Sequence, residues 1–441
     1  MQVILMILGL ALVMFLIFRG VPLFFTALIS SLFIVVTTAI LTSAQIDVSQ
    51  IMINDFVNGI AGYFGSYFWL FILGAIFGKL FEVSGAADSI ATGIINKLGE
   101  KAIVPAIILA GFLLSYGGVS VFVAFFAMYP LMLSMFKKAD ITRHLLPALY
   151  FAGAGTATGM MPGSPAAHNV IPTQFLGVKT TAAFVPGMIA AAFEMVLVFL
   201  WIYYCVARAK KKGKHFEATA ADEEAMKARS GKKLPNFWLS LVPMVILLVL
   251  LNGTSLGVAP SLAGGIIAAL ICFYRTIDWK NIWGILSTGT TGGLITLFNT
   301  AAIVGFGKVV NIMPAFTIMT DAITKIGGSP LVSASIAVGL IAGITGSGTG
   351  GQGIALPVVK ANYIDTGLIT TTAQLEGLAR CLSIAALTLD SLPHCGLVVS
   401  VINYTGNTHK TSYIAAGVTN VVIPIITLCL LIPLCYAFGY A

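Results

Sequence analysis

Apolar runs follow one another along almost the whole of this 441-residue chain, which is 58% hydrophobic and only 9% charged. A soluble domain carries roughly a quarter of charged residues. Hydrocarbon is therefore the solvent for most of this chain, and the fold class it predicts is an all-α polytopic membrane protein. In a bilayer core no water pairs with backbone N–H and C=O groups, so irregular backbone survives only where it lines a cavity or packs against protein. Two glycine-rich polar stretches break the apolar runs, SYGGVS at Ser115–Ser120 and TGSGTGGQG at Thr345–Gly353. They point to a site.

A helical span takes about 20 apolar residues. On that measure the first half holds spans near 3–18, 21–41, 56–82, 144–173 and 182–205, and the second near 237–252, 259–275, 287–312, 375–404 and 411–438. Residues 102–136 and 330–360 are different. Each is apolar on both sides of its glycine-rich centre, with arms of about 15 residues that are marginal for a crossing. Each therefore reads as a re-entrant helical hairpin.

The two halves also agree in register. Phe77-Gly78-Lys79 matches Phe306-Gly307-Lys308 at a spacing of 229, which Gly99/Gly328 and Gly117/Gly346 keep, while Pro162/Pro393 and Lys179-Thr180/Lys410-Thr411 match at 231. The ordered series is the signal, since single glycine matches mean little. Five spans plus a hairpin that returns to its own side bring the second half in from the opposite face. The expected domains are inverted repeats at 1–205 and 237–441.

The segment 206–236 joins them, and Ala207–Asn236 holds nine Lys/Arg against four Asp/Glu. It reads as a flexible cytoplasmic linker. With it inside, Lys137, Lys138, Arg143, Arg275 and Lys280 also lie inside, as the positive-inside rule requires. Both termini then lie outside, and the hairpins enter from opposite faces.

Candidate binding residues gather at the tips: Ser115, Gly117, Gly118 and Ser120 in the first, Thr345, Ser347, Thr349 and Gln352 in the second. The N-terminal end of a broken helix offers unpaired N–H groups and partial positive charge to a substrate carboxylate, and carbonyl ends suit a cation. Helix packing through small residues explains a lone Gly-x-x-x-Gly; a polar tip repeated in both halves favours binding.

The spans that follow are broken at Gly155–Asn169 (GTATGMMPGSPAAHN) and Leu387–Gly396 (LTLDSLPHCG). Proline removes a backbone donor and disfavours helix in the residue before it. Pro162, Pro165 and Pro393 thus free carbonyls beside Thr156, Thr158, Ser164, His168, Asn169, Ser391 and His394.

Intramembrane ionisable residues are costly and usually functional. Asp390, with His394 one helical turn later, is the first candidate for a proton or cation site; a structural hydrogen bond to the kinked backbone is the competing reading. His168 and His394 could donate to a carboxylate or hydroxyl, or be satisfied buried histidines. Glu194 is read as pairing between helices and stays outside the site. Arg380 and Glu376 read as an interfacial pair at a span end.

Several classes are excluded. The net charge of +8 comes from basic residues that positive-inside topology explains, so no nucleic-acid partner is called for. The six cysteines are scattered in apolar segments without metal or redox spacing. Met1–Phe18 lacks a basic n-region and reads as a first span rather than a cleaved signal. No catalytic or nucleotide-binding motif is present, so neither an enzyme, a cofactor, a metal site nor ATP-driven transport is expected. A channel and a cation/proton antiporter remain as alternatives, both disfavoured by two opposed hairpins, which suit alternating access.

At Leu114–Pro130 (LSYGGVSVFVAFFAMYP), Met160–Gly177 (MMPGSPAAHNVIPTQFLG) and Leu389–Tyr413 (LDSLPHCGLVVSVINYTGNTHKTSY) the chain resembles the gluconate permease family of the ion-transporter superfamily, over nearly its full length. Within it, the hydroxybutyrate permeases look more similar than gluconate or D-serine carriers. The resemblance implies inner-membrane uptake of a small hydroxy-monocarboxylate with protons, hairpins in a mobile transport domain, elevator-type motion and a homodimer. Sodium sites of superfamily relatives use Ser-Asn-Thr at the hairpin tips. This chain lacks that asparagine, which favours protons over a sodium-coupled carboxylate or dicarboxylate symporter.

Overall fold

The computed structural model describes residues 2–42, 45–98, 102–229, 234–316, 329–393 and 395–441, and among them all regular secondary structure is helical. The first half runs Gln2–Phe18, Leu23–Leu41, Val48–Ser84, Ala86–Leu98, a helical hairpin of Ile103–Tyr116 and Val121–Ala139, a broken span of Leu146–Ala154, Ala157–Met160 and Ala167–Phe175, then Phe184–Lys211. The second half runs Phe237–Gly253, Val258–Cys272, Trp279–Ile312, a hairpin of Pro330–Thr345 and Gly348–Val359, a broken span of Thr372–Leu389 and Gly396–Tyr404, then His409–Ala437. Among the described residues, Leu23–Leu41, Val48–Ser84, Phe184–Lys211, Trp279–Ile312 and His409–Ala437 are long and apolar enough to cross a bilayer. The remaining apolar helices are shorter.

The hairpin turns follow from their glycines and serines. Gly118 has φ +95° and Gly346 φ +60°, a left-handed region in which a Cβ would be strained. Immediately after each turn a serine starts the next helix. Ser120 Oγ accepts from Val123 N–H at 3.3 Å, and Ser347 Oγ from Gly350 N–H at 3.1 Å, satisfying donors that a helix start leaves open.

At the centre, Val57–Ser84 packs along Ile282–Ile312. Glycines set the closeness: a Cβ on Gly293 would lie 2.8 Å from Phe71 O, and one on Gly289 3.0 Å from Ile76 Cα. Each long helix also packs on the second helix of the other half, Val57–Ser84 on Val258–Cys272 and Ile282–Ile312 on Leu23–Leu41. Hairpin 1 leans on Leu146–Ala154, and hairpin 2 on Thr372–Leu389.

The joining segment differs from the flexible linker its composition predicts. Ala220–Arg229 is a helix docked on Val121–Ala139. Its Asp222, 1% exposed, lies 3.2 Å from Arg143 Nη2 and accepts from Tyr129 Oη–H at 2.6 Å and Thr219 N–H at 2.8 Å. Arg143 also donates to Thr405 O. The basic composition therefore hides one buried carboxylate that ties the segment to the first half, whose Arg143 reaches on to the second.

Candidate functional site

A cavity of about 540 Å³ opens between the tip of hairpin 1, the first broken span and the two central helices. Ser115, Gly118 and Ser120 line it from the hairpin, Thr158 and His168 from the broken span, and Thr288 and Thr296 from Trp279–Ile312. Lys79 and Glu82, 2.6 Å apart, line it from Val48–Ser84. The wall is mostly apolar with a few converging polar groups, as ligand sites usually are, and its size falls in their range of roughly 300–1,000 Å³. Ser115 Oγ is buried without a hydrogen-bond partner among the described residues.

His168 joins this cavity to the second half. Its Nε2 lies 3.6 Å from Asp390 Oδ2, and its carbonyl accepts from Gln352 Nε2 at 2.8 Å. A Cβ on Gly348 would stand 2.7 Å from the His168 ring, so glycine at the hairpin 2 tip is what lets the ring sit there. Asp390 is 8% exposed and accepts from Ser391 Oγ–H at 2.9 Å. Its ring partner in the structure is His168, from the other half. His394, the expected partner, lies outside the described residues.

The other predicted residues divide. Gln352 is fully buried; besides the His168 carbonyl it donates to Leu382 O at 3.3 Å, and its Oε1 has no partner among the described residues. Ser347 caps its helix and lies 3.4 Å from Thr349 Oγ1. Thr345 is spent on the carbonyls of Ile341, Ala342 and Ser347. Thr156 and Thr158 bond back to Ala152 and Ala154. Ser164 is buried and accepts from Ala166 N–H. Gly117 stands against Met244 rather than at the cavity wall.

Asn169 is fully buried and its amide is occupied: it donates to Ser164 O and Thr180 O and accepts from Arg380 Nη1 at 2.8 Å. Arg380 departs most from the sequence reading. It is 0% exposed, and its guanidinium also donates to Met160 O at 3.0 Å, Ala182 O at 3.1 Å and Thr180 O at 2.9 Å. A planar fork with five donors suits four acceptors in one place. Glu376 accepts from Ala183 N–H at 3.1 Å instead of pairing with Arg380 at a surface. The proline-broken loop 160–182 supplies the carbonyls, and Arg380 collects them.

Sequence reasoning also passed over Lys79 and Glu82, using Phe77-Gly78-Lys79 only as a repeat marker. The signal was available, since charges inside a long apolar run mark sites by default.

Comparison with known proteins decides the lineage. The family model of the GntP family permeases matches residues 1–370. The chain belongs to that family. A Bacillus subtilis protein named "Uncharacterized transporter YxjC" is 33% identical over 94% of each chain. The gluconate permease of Zymomonas mobilis is 26% identical over 46% of this chain and 45% of its own, and the high-affinity gluconate transporter of Escherichia coli is 26% identical over 44% of each. Among solved structures, the Alcanivorax borkumensis YdaH transporter matches 95% of this chain and 98% of its own with a TM-score of 0.57 at 15% identity, a likeness of fold. This GntP family member is thus a multi-pass membrane permease, not an enzyme.

Proposed function

We propose that this GntP permease takes up a small hydroxy-monocarboxylate such as gluconate or 3-hydroxybutyrate, with protons, by elevator-type alternating access in the inner membrane. His168 carries the reading: it lines the hairpin 1 cavity, abuts the hairpin 2 tip at Gly348 and lies 3.6 Å from Asp390. Lys79 supplies a cation for the substrate carboxylate, with Glu82 as its resting partner. Ser115, Ser120, Thr158 and Thr296 offer hydroxyls to a polyol chain. Proton uptake at the Asp390–His168 pair changes the charge beside the substrate, which links proton and substrate binding.

Two inverted repeats, 1–205 and 237–441, are the architecture we assign. The reciprocal packing of each long helix on the second helix of the other half supports it. So does the contact of each Phe-Gly-Lys glycine with its own hairpin: a Cβ on Gly78 would touch Val123, and one on Gly307 would meet Ile354, 231 residues on from Val123. With the joining segment 206–236 in the cytoplasm, both termini lie outside, hairpin 1 enters from the cytoplasm and the cavity opens inward. A homodimer follows by analogy with the superfamily.

Uptake of radiolabelled gluconate, 3-hydroxybutyrate and lactate into proteoliposomes tests this under imposed proton or sodium gradients. Accumulation driven by the proton gradient is expected. No gradient-stimulated uptake of any hydroxy acid overturns the substrate class, and uptake driven by sodium alone overturns proton coupling.

A further inference from the structure

Helix Phe184–Lys211 packs along Ile423–Ala437, and contacts near both ends fix its direction. Near one end Trp201 Nε1–H donates to Ala415 O at 3.0 Å. Near the other, a Cβ on Gly187 would lie 3.1 Å from Arg380 Cδ, and the next residue, Cys381, has its sulfur 4.0 Å from that of Cys435. The helices are antiparallel. Glu194, midway between Gly187 and Trp201, is therefore level with the start of Ile423–Ala437, one turn beyond a π-helical turn at Val418–Val422. Such turns concentrate at functional sites.

Glu194 is 0% exposed and neither carboxyl oxygen has a hydrogen-bond partner among the described residues. In the π-helical turn, Asn420 Oδ1 is likewise buried without a partner among the described residues. The ionisable groups on the surrounding elements are few and engaged or distant. Tyr150 donates to Val121 O, Tyr116 to Pro162 O and Tyr413 to Ser391 O, His409 Nε2 lies 2.8 Å from Pro393 O, Lys410 is exposed, and Cys435 lies against Cys381. Cys429 and Tyr436 are exposed. Arg380 serves four acceptors near Gly187, seven residues and thus about 10 Å along the helix from Glu194. Among the described residues no cation stands beside the carboxyl.

An ionised carboxylate without partner or water is among the most costly states a side chain can take, and the neutral acid avoids that cost. The surroundings of Glu194 thus favour the neutral acid. Asp390 differs, having a histidine ring, a hydroxyl and partial exposure. We propose that Glu194 is a second proton-binding site of the transport cycle, loaded as the neutral acid here and releasing its proton to water in the conformation that exposes it to the other face. The proposal rests on the proton-coupled reading above and adds one proton per substrate to it.

The test compares full-length wild type with Glu194→Gln and Glu194→Asp in liposomes at zero membrane potential. Each coupled proton multiplies accumulation about tenfold per pH unit of gradient. Glu194→Gln should keep substrate counterflow while its accumulation ratio at one pH unit falls about tenfold, and Glu194→Asp should restore the wild-type dependence. An unchanged dependence in Glu194→Gln overturns the proposal. If wild-type vesicles accumulate none of the hydroxy acids, the substrate reading has failed, and infrared spectroscopy of the purified protein decides Glu194 separately. A protonated-carboxyl carbonyl band present in wild type at neutral pH and missing in Glu194→Gln supports it; a spectrum identical in the two overturns it.

Discussion

The two hairpins are alike in plan and unlike in surroundings. Hairpin 1 borders a cavity of about 540 Å³ that holds Lys79, Glu82 and several hydroxyls. Beside hairpin 2 the space is about 150 Å³ and is walled by Phe306, Ile341, Ile354 and other apolar side chains, with Thr345 turned to its own backbone. Lys308, the counterpart of Lys79, is exposed elsewhere on its helix, and Gly307 is pressed against Ile354. Equivalent sequence thus makes an open polar contact in one half and a closed apolar one in the other. The proposed alternating access expects such an asymmetry at one endpoint of its cycle, since a site open on both sides would leak.

Arg380 clasps the segment 160–182 through four acceptors, so replacing it gives the largest effect. Arg380→Met leaves the Asn169 oxygen and three carbonyls without their donor and should cost about 3–5 kcal/mol, read as a fall in thermal stability of the purified protein. Arg380→Lys should recover only part of this, because an ammonium cannot reproduce the fork. A melting curve matching wild type would remove Arg380 as the clamp. His168→Gln comes next. It keeps polarity but loses the titratable ring beside Asp390, and proton-driven uptake should fall by about 30-fold or more, while Asp390→Asn should do the same. Full proton-driven accumulation in Asp390→Asn would take Asp390 out of coupling and leave the permease intact.

The comparison is sharpened by its two lysines. Lys79→Met should raise the KM for a hydroxy acid about tenfold, the worth of one hydrogen bond to a charged group, while Lys308→Met should leave the KM within about twofold. Equal effects would mean that the cavity beside hairpin 1 has no special claim to the substrate.

The smallest effect is expected outside the membrane. Asp140 accepts from Phe216 N–H at 3.0 Å and lies 2.6 Å from His215 Nδ1, and these hydrogen bonds hold its carboxyl below the usual range. A carboxyl held low when folded adds stability that is present above its unfolded pKa and lost as pH falls through the folded value. Docking of residues 213–222 should therefore loosen as pH falls below about 4, with Asp140→Asn reproducing the loosened state at pH 7. Amide hydrogen exchange in that segment checks both.

Much of the fold was legible because apolar length and glycine breaks act locally. Hairpins expected at 102–136 and 330–360 appear as helix pairs at 103–139 and 330–359, and both breaks fall at the prolines and glycines that predict them. Ala86–Leu98 was missed since Asp88, Ser89 and Lys97 interrupt its apolar face, and Ala220–Arg229 since a charged helix stabilised by one buried aspartate looks like a linker. The site was only partly legible. Its hydroxyls and His168 could be named from local pattern, but the pairing of His168 with Asp390 and the four acceptors of Arg380 join segments some 200 residues apart. Only tertiary packing brings those groups together.

The central claim is that the hairpin 1 cavity is the substrate site. A density map of the full-length protein saturated with gluconate or 3-hydroxybutyrate tests it most directly. The account predicts ligand density bounded by Ser115, Ser120, Thr158, His168 and Lys79, with the carboxylate at the Lys79 ammonium or the His168 ring. Ligand density confined to the space beside hairpin 2, or a cavity empty in the presence of a transported acid, would contradict it.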